Sequence, residues 1–501
     1  MAHGFLGPTI CAERDVSFSV IWMIVPESAF FNQHDKCCAT QGAVLRYISR
    51  PFFVIGITGT VLSLSLASCT TLSPGNPAAG TQSPSGLAAM PSSSPTPASA
   101  AKVPLVWADG SRVEPRNIHN VDQAREAIKG QDFTEESSSK NLSNAKILFQ
   151  SEGIDSTGTL VGLYGPRQSE KEIEKTGIDI DPDKTSIGRV ADGKFTPFTV
   201  PGSPNKNHTP GPVHGLTISD GLILWAELLP EDAPNPGWKV MSVAAGSNDA
   251  RVLATHSFKK SQSPQHDMLR LSAPVLQDGR VYWSFSHVNP ADDVSLRKTY
   301  SLDMAKPGTF REEPLLSDTD RMSFAGTLFA GKDGLLDSTD YYDKNFAVTA
   351  QTISTFSAAN KLQEILHLEE DPTVDYAMQL KGSDTQGFAV EYDNKLYLVD
   401  AITRDVELFL APQDQEFGEL QQCGRKVSWN YRNSSDEDDS AKPGFKQYVF
   451  DRETNDLSVA VIAEPVGSGM DFCAGEYNSW SVIDPKEVNY DGWDSVTRWK
   501  N

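Results

Sequence analysis

Short runs of apolar residues alternate with turn residues along most of the chain from position 102 onward. The runs are rich in Val, Ile, Leu, Tyr, Phe and Trp, and turns such as Asp220-Gly221 and Asp278-Gly279 separate them. This pattern is typical of short antiparallel strands. We therefore expect an all-β protein, with one short helix at residues 121–129, capped by Asn120, ahead of the strands.

A turn, a strand and a tryptophan recur along the chain at a regular spacing. Residues 219–225 and 277–283 share this order 58 positions apart, and the segments that begin at Cys423 and Cys473 repeat it 50 positions apart. Four strands in roughly 40 to 58 residues is the period of a β-propeller blade. Each indole is expected to fill space between adjacent blades, with ligand stacking as the alternative.

We predict a β-propeller of seven blades, although six or eight also fit the period. The predicted blades are 145–200, 212–258, 268–316, 321–367, 375–412, 419–463 and 470–499. The last of these is too short for four strands, so a strand from the other end of the chain has to complete it. The apolar residues 103–107 are available for this, which makes 102–144 the closing strand and short helix, and 145–501 the propeller.

An uncharged apolar stretch at residues 52–67 follows Arg46 and Arg50 and ends in Leu66-Ala67-Ser68-Cys69. A basic flank before a short apolar run is typical of a secretory signal peptide. The final four residues resemble the lipobox of bacterial lipoproteins, which implies cleavage before Cys69 and a diacylglycerol on its thiol. The alternative is an uncleaved membrane anchor, because about 17 residues is the lower limit for crossing a bilayer.

The segment that follows Cys69 is free of charge and rich in Ser, Pro, Ala, Gly and Thr up to residue 101. Such a composition cannot bury enough apolar surface to fold, so we expect a disordered linker that acts as a tether. The predicted organisation begins with a doubtful extension at 1–43, a signal peptide at 44–68, and the lipidated cysteine with its linker at 69–101. Translation from Val44 would remove the extension; a long cytoplasmic n-region is the alternative.

The chain carries 44 Lys and Arg against 66 Asp and Glu, a net charge of -22. Acidic and basic residues balance within 1–101, so the whole excess lies in 102–501. Nucleic-acid affinity depends on neutralising phosphates, so no nucleic-acid partner is expected. An acidic domain is also repelled by anionic lipid unless it is anchored. The predicted location is the cell membrane, with the propeller lipid-anchored on the extracytoplasmic side.

No familiar catalytic or phosphate-binding motif occurs in the sequence, so no catalytic residue, metal or cofactor is predicted. The alternating acids of residues 179–183 resemble the start of a calcium loop. Lys184 and Val190, however, stand where such a loop needs glycine and a bidentate carboxylate. Two pairs of histidines, His208 with His214 and His256 with His266, lack a third ligand at a usable spacing.

Cys423 and Cys473 are the two cysteines of the predicted exported domain. Exported domains favour disulfides, and these residues hold corresponding positions in consecutive repeats. The prediction is a disulfide between Cys423 and Cys473, with two buried free thiols as the alternative.

The repeat resembles the propeller domains of exported bacterial lipoproteins, but it lacks the WD, sialidase and kelch signatures, so no site residues carry over. The predicted function is a membrane-anchored cell-envelope lipoprotein whose propeller binds a protein or a glycan. The alternative is a glycan-processing hydrolase or lyase that uses carboxylates in the channel of the propeller.

Overall fold

The computed structural model describes most of the chain between Leu105 and Lys500. The described residues are 105–140, 142–144, 146–169, 171–173, 179–181, 184–200, 213–219, 221–229, 237–257, 270–289, 294–317, 322–323, 327–342, 348–357, 359, 361–368, 378–384, 387–412, 415–433, 445–462, 467–483 and 492–500. All of them belong to one compact unit, Gly42–Asn501. The predicted signal peptide, the tether and Cys69 lie outside the described residues and stay predictions.

In this part of the chain, 33 strands form seven small sheets. Four strands precede the repeat: β1 (Leu105–Trp107), β2 (Asn117–Asn120), β3 (Arg125–Glu126) and β4 (Phe133–Ser138). The other strands follow in seven consecutive groups, one for each sheet, which we name blades 1 to 7.

Blade 1 contains β5 (Ile147–Ile154), β6 (Leu160–Pro166), β7 (Ser186–Ala191) and β8 (Lys194–Pro197). Blade 2 contains β9 (Val213–Ser219), β10 (Leu222–Leu228), β11 (Gly237–Ala244) and β12 (Arg251–Ser257). Blade 3 contains β13 (Arg270–Leu271), β14 (Val275–Gln277), β15 (Arg280–Asn289), β16 (Val294–Asp303) and β17 (Phe310–Glu312).

Blade 4 contains β18 (Met322–Ser323), β19 (Thr327–Gly331), β20 (Gly334–Tyr342), β21 (Val348–Phe356) and β22 (Leu362–Leu368). Blade 5 contains β23 (Gln379–Asp384), β24 (Gly387–Tyr392), β25 (Lys395–Val399) and β26 (Val406–Leu410). Blade 6 contains β27 (Gln415–Cys423), β28 (Lys426–Asn433), β29 (Phe445–Asp451) and β30 (Asp456–Ile462). Blade 7 contains β31 (Gly467–Ala474), β32 (Tyr477–Ile483) and β33 (Gly492–Trp499).

The inner strands of the blades contact one another in a ring. β5 contacts β9, and contacts continue through β14, β19, β23, β27 and β31, which in turn contacts β5. The prediction of a seven-bladed β-propeller is therefore confirmed. Within the described residues, helical structure is almost absent, and no helix is long and apolar enough to cross a membrane.

The turn residues act as the sequence pattern predicts. In blade 3, Gln277 pairs with Arg280 across a two-residue turn made by Asp278 and Gly279. Their φ angles are 51° and 73°, so both adopt the left-handed conformation that such tight hairpins need. Gly279 reaches it without strain, because it has no Cβ.

The tryptophans of the repeat fill the space between blades. Trp225, Trp283 and Trp429 are fully buried, and Trp480 is nearly so. Trp283 meets Trp238 of blade 2 edge to face, with 5.3 Å between ring centroids, inside a core shared by blades 2 and 3. The packing interpretation of the tryptophan repeat is thus correct.

Residues 105–138, which we call the strap, run along the outer edges of four blades. β1 pairs antiparallel with β22 of blade 4, β2 pairs parallel with β26 of blade 5, and β3 pairs parallel with β30 of blade 6. β4 then pairs antiparallel with β33 and becomes the fourth strand of blade 7. The strap ends just before β5, the first strand of blade 1.

The prediction that residues 103–107 close the last blade is wrong. The closing strand is β4, whose Phe133 pairs with Trp499. The connection to blade 1 explains the difference, because β4 ends only a few residues before β5 begins, whereas β1 lies some forty residues upstream. The closing strand has to lead directly into the first blade, and only β4 does so.

The predicted helix at residues 121–129 is also wrong beyond its first turn. Asn120 caps the turn as expected, since its side chain accepts a hydrogen bond from Asp122 N, but the 3-10 turn covers only Val121–Gln123. The chain then extends into β3, and Ala127 N donates to Val459 O at 2.8 Å. Pairing with the edge of blade 6 satisfies the backbone in place of helical hydrogen bonds.

The strap inserts apolar side chains into three successive cores between blades, and the residues just after it reach a fourth. Leu105, Trp107 and Val113 are buried between blades 4 and 5. Val121 is buried between blades 5 and 6. Further along, Ala127 and Phe133 are buried between blades 6 and 7, and Leu142 between blades 7 and 1.

A buried ion pair joins blade 3 to blade 4. The guanidinium of Arg297 donates to both carboxylate oxygens of Asp337, at 2.9 and 3.1 Å, and both side chains are only 3% exposed. Thr339 Oγ1 donates to the same carboxylate at 2.8 Å. Removal of one partner would leave a buried charge without its counterion, which is far costlier than loss of an exposed pair.

We expect the Asp337→Ala variant to lose about 3 to 5 kcal/mol of unfolding free energy. Denaturant titration at neutral pH measures this loss. The matched control is Glu312→Ala, which removes an exposed pair with Lys298 at 3.3 Å in the same region and should cost at most about 1 kcal/mol. Equal midpoints for the two variants would contradict the role given to the buried pair.

Candidate binding groove

A groove lies on the outer rim where the strap passes from blade 5 to blade 6. It has a volume of about 330 Å³ and is lined by residues 118–122 of the strap and 410–412 of blade 5. We call it the rim groove. Its two walls are a strap segment and the end of the outer strand that this segment covers.

Backbone pairing positions both walls of the rim groove. β2 runs parallel to β26, with Ile118 beside Leu408 and Asn120 beside Leu410. The turn capped by Asn120 then inserts Val121 into the core between blades 5 and 6, where it is only 5% exposed. The strap is thus held by strand pairing on one side of the groove and by apolar burial on the other.

His119 and Glu407 form a polar clamp beneath the strap. His119 Nε2 lies 2.7 Å from Glu407 Oε2, and Asn117 Nδ2 donates to Glu407 Oε1 at 3.0 Å. The imidazole stacks on Phe409 with 4.5 Å between ring centroids and lies 5.0 Å from the Phe450 ring of blade 6. One carboxylate therefore orients two side chains of the strap, and the histidine contacts both blades.

Two aliphatic side chains on the walls of the groove face solvent. Ile118 is 63% exposed and Leu410 is 41% exposed. Asp122 is also exposed, and its charge adds to the effect of burial in raising the pKa of Tyr448 on the adjacent blade. The rim groove thus combines exposed aliphatic groups with a nearby carboxylate, so it can contact both aliphatic and basic side chains.

A second cavity, of about 240 Å³, is lined by residues 311–315 and Phe356. Its buried carboxylate, Glu313, accepts hydrogen bonds from Arg311 Nε at 2.9 Å and from Ser301 Oγ. This cavity has one exposed aliphatic side chain on its wall, Leu315, whereas the rim groove has two, so the rim groove is the better candidate for binding apolar side chains.

The lipid-attachment residue Cys69 lies outside the described residues. Cys473 forms a disulfide, while the side chain of Cys423 is outside the described part. Their strands, β27 and β31, contact each other as the innermost strands of blades 6 and 7. This neighbourhood suits the predicted bond between Cys423 and Cys473, which stays a prediction.

The histidines considered as ligands do not come together in the described part of the chain. His256 stacks on Trp238 with 5.3 Å between centroids, and burial, helped by the charge of Lys298, lowers its pKa. His208 and His266 lie outside the described residues, as does the side chain of His214. Asp181 of the acidic loop pairs with Lys184 at 2.6 Å. Among the described residues, no group of three His, Cys, Asp or Glu side chains is placed to hold a metal.

The rim groove is not evident from the sequence pattern. His119 and Glu407 are 288 positions apart, and only the path of the strap brings them together. The one local signal is Asn120. Its predicted role as a capping residue is correct, but such a cap indicates a longer helix as readily as the single turn that it begins.

No family model and no curated protein matches the sequence. Solved structures with a similar fold include a puromycin hydrolase (14% identity, 71% of this chain and 52% of that chain, TM-score 0.44) and an acylaminoacyl peptidase of Pyrococcus horikoshii (12%, 73% and 53%, TM-score 0.43). The chain spans about half the length of these two proteins.

The α-L-arabinofuranosidase Arb93A of Fusarium graminearum is another similar structure (10% identity, 68% of this chain and 97% of that chain, TM-score 0.36). The likeness to these three proteins concerns the fold and carries no activity over to this chain.

We expect Glu407→Ala to loosen the strap locally. Loss of hydrogen bonds to His119 and Asn117 should cost about 1 to 2 kcal/mol, which corresponds to roughly tenfold faster hydrogen exchange in β2. Glu364→Ala is the matched control, because it removes a similar pair with His367 at 2.8 Å on blade 4. Unchanged exchange in β2 of the Glu407→Ala variant would show that the clamp does not hold the strap.

Proposed function

We propose that this protein is a lipid-anchored component of the bacterial cell envelope whose propeller binds a protein partner at the rim groove. The observation that carries the binding role is the groove itself, with Ile118 and Leu410 exposed on its walls. Exposed aliphatic groups grouped in a concave site are a common feature of protein-binding surfaces.

Anchoring is supported by the sequence ahead of the strap. The Leu66-Ala67-Ser68-Cys69 segment and the uncharged linker place a predicted lipid a short distance before β1. A flexible linker of this length has a root-mean-square span of about 30 Å. The propeller can therefore move and turn near the membrane while its net charge of -22 keeps it off anionic lipid.

The strap connects the proposed lipid anchor to the rim groove along the polypeptide chain. The chain passes from the linker into β1 on blade 4, and the strap then forms a wall of the groove on blade 5. The proposed anchor and the proposed binding site are thus joined by a single stretch of chain.

Lipid attachment at Cys69 is tested with the full chain expressed in a bacterium that processes lipoproteins. Wild-type protein should partition into detergent, and mass spectrometry should find Cys69 as the first residue, bearing a diacylglycerol. Cys69→Ala should accumulate as an uncleaved precursor, whereas the control Cys38→Ala should be processed normally. An intact chain ahead of residue 69 in the wild-type protein would refute lipid attachment at Cys69 and favour the uncleaved membrane anchor.

A further inference from the structure

Exposed aliphatic residues recur on the rims of two neighbouring blades. On blade 5 they are Ile118 of the strap and Leu410 of β26, which are 63% and 41% exposed. On blade 6 they are Ile128, which follows β3, and Val461 of β30, which are 53% and 45% exposed.

On both blades the strap pairs parallel with the outer strand. On blade 5, Ile118 lies beside Leu408, two residues before Leu410. β3 runs parallel to β30 with Glu126 beside Val459, and Ala127 N donates to Val459 O. Ile128 follows this pairing directly. On each blade, the strap therefore adds one exposed isoleucine to a rim whose outer strand also carries an exposed aliphatic residue.

The charges between the two pairs are acidic. Three strap cations are already paired within the protein, since Arg116 pairs with Asp405 at 3.2 Å, Arg125 pairs with Asp132 and Asp456 at 3.0 Å, and Lys129 pairs with Glu135 at 2.6 Å. Asp122 and Glu126 are exposed and make no ion pair within the described residues. The charge of this surface disfavours a second copy of the same acidic chain and an anionic membrane, and it favours a basic partner.

The strap also leaves strand edges on this surface. β2 and β3 are the terminal strands of their sheets in the described part of the chain. An edge strand binds an extended peptide through its main-chain groups, and alternate side chains of that peptide provide specificity. On β2, Ile118 and His119 lie on opposite faces, because side chains alternate along a strand.

We infer that the rim of blades 5 and 6 binds an extended segment of a partner protein in which aliphatic and basic residues alternate. This inference rests on the proposed binding function and names the partner chemistry. The segment adds as a strand to the open edge of β2. Its aliphatic side chains pack on the side of Ile118 and Leu410, and its basic side chains lie on the side of Glu407, near Asp122.

The test uses the full chain in detergent micelles and three labelled octapeptides with blocked ends. The first alternates Lys and Val, the second alternates Glu and Val, and the third is the first with every residue N-methylated, which removes the strand donors on both of its edges. Fluorescence anisotropy measures binding, and hydrogen exchange in residues 117–120 locates it. We expect the Lys peptide to bind at least about tenfold more tightly than either control, a difference of about 1.4 kcal/mol.

Two protein variants test the location. Ile118→Arg places a positive charge on the proposed contact and should weaken binding of the Lys peptide about tenfold or more. Val252→Arg is the matched control, because Val252 is 42% exposed on the outer strand of blade 2, and it should bind like wild type. Protection of residues 117–120 by the peptide, lost in Ile118→Arg, would support the inference.

Several results would overturn it: no binding of the Lys peptide, equal binding of the Lys and Glu peptides, or equal binding by wild type and Ile118→Arg. A dimer that Ile118→Arg converts to a monomer would assign the rim to a second copy and likewise overturn it. Failure of lipid attachment at Cys69 would refute the lipid anchor without altering these measurements. The proposed lipid anchor and the proposed peptide-binding rim can therefore be refuted independently of each other.

Discussion

Burial of the strap's apolar side chains between consecutive blades is the interaction on which the rest of the structure depends. A propeller blade buries its faces against its neighbours. At the three interfaces between blades 4 and 7, the strap covers the outer ends with Trp107, Val121 and Phe133. The same segment then supplies β4, which closes the ring. Closure and rim packing are thus properties of one continuous stretch of chain.

The strap also explains why the rim is asymmetric. Blades 1 to 3 end in their own outer strands, among which β8 is short and carries Pro197, and β12 has a bulge; such features discourage further strand pairing. Blades 5 and 6 instead carry an added parallel strand from the strap. The exposed aliphatic pairs and the rim groove occur on these two blades. The strap, which stabilises the ring, therefore also forms part of the proposed binding surface.

Most of the fold was predictable from the sequence because the blade is a local unit. Turn pairs such as Asp278-Gly279 and the recurring tryptophans are set by contacts within one blade or with the next blade. Their spacing along the sequence therefore predicts the repeat and its seven blades. The strap was not predictable, since Leu105–Trp107 and Arg125–Glu126 pair with strands some 250 to 340 positions away. Edge pairing overrode the helical propensity after Gln123, and the clamp between His119 and Glu407 has no local signature in the sequence.

The strap is an integral part of the propeller rather than an extension of the tether. Thermal and denaturant unfolding of three strap variants tests it most directly. Trp107→Ala and Phe133→Ala remove side chains that are 5% and 4% exposed, and each should cost about 3 to 5 kcal/mol. Ile118→Ala, on an exposed strap residue, should stay within about 0.5 kcal/mol of wild type. Stabilities of Trp107→Ala and Phe133→Ala that match Ile118→Ala would contradict the account.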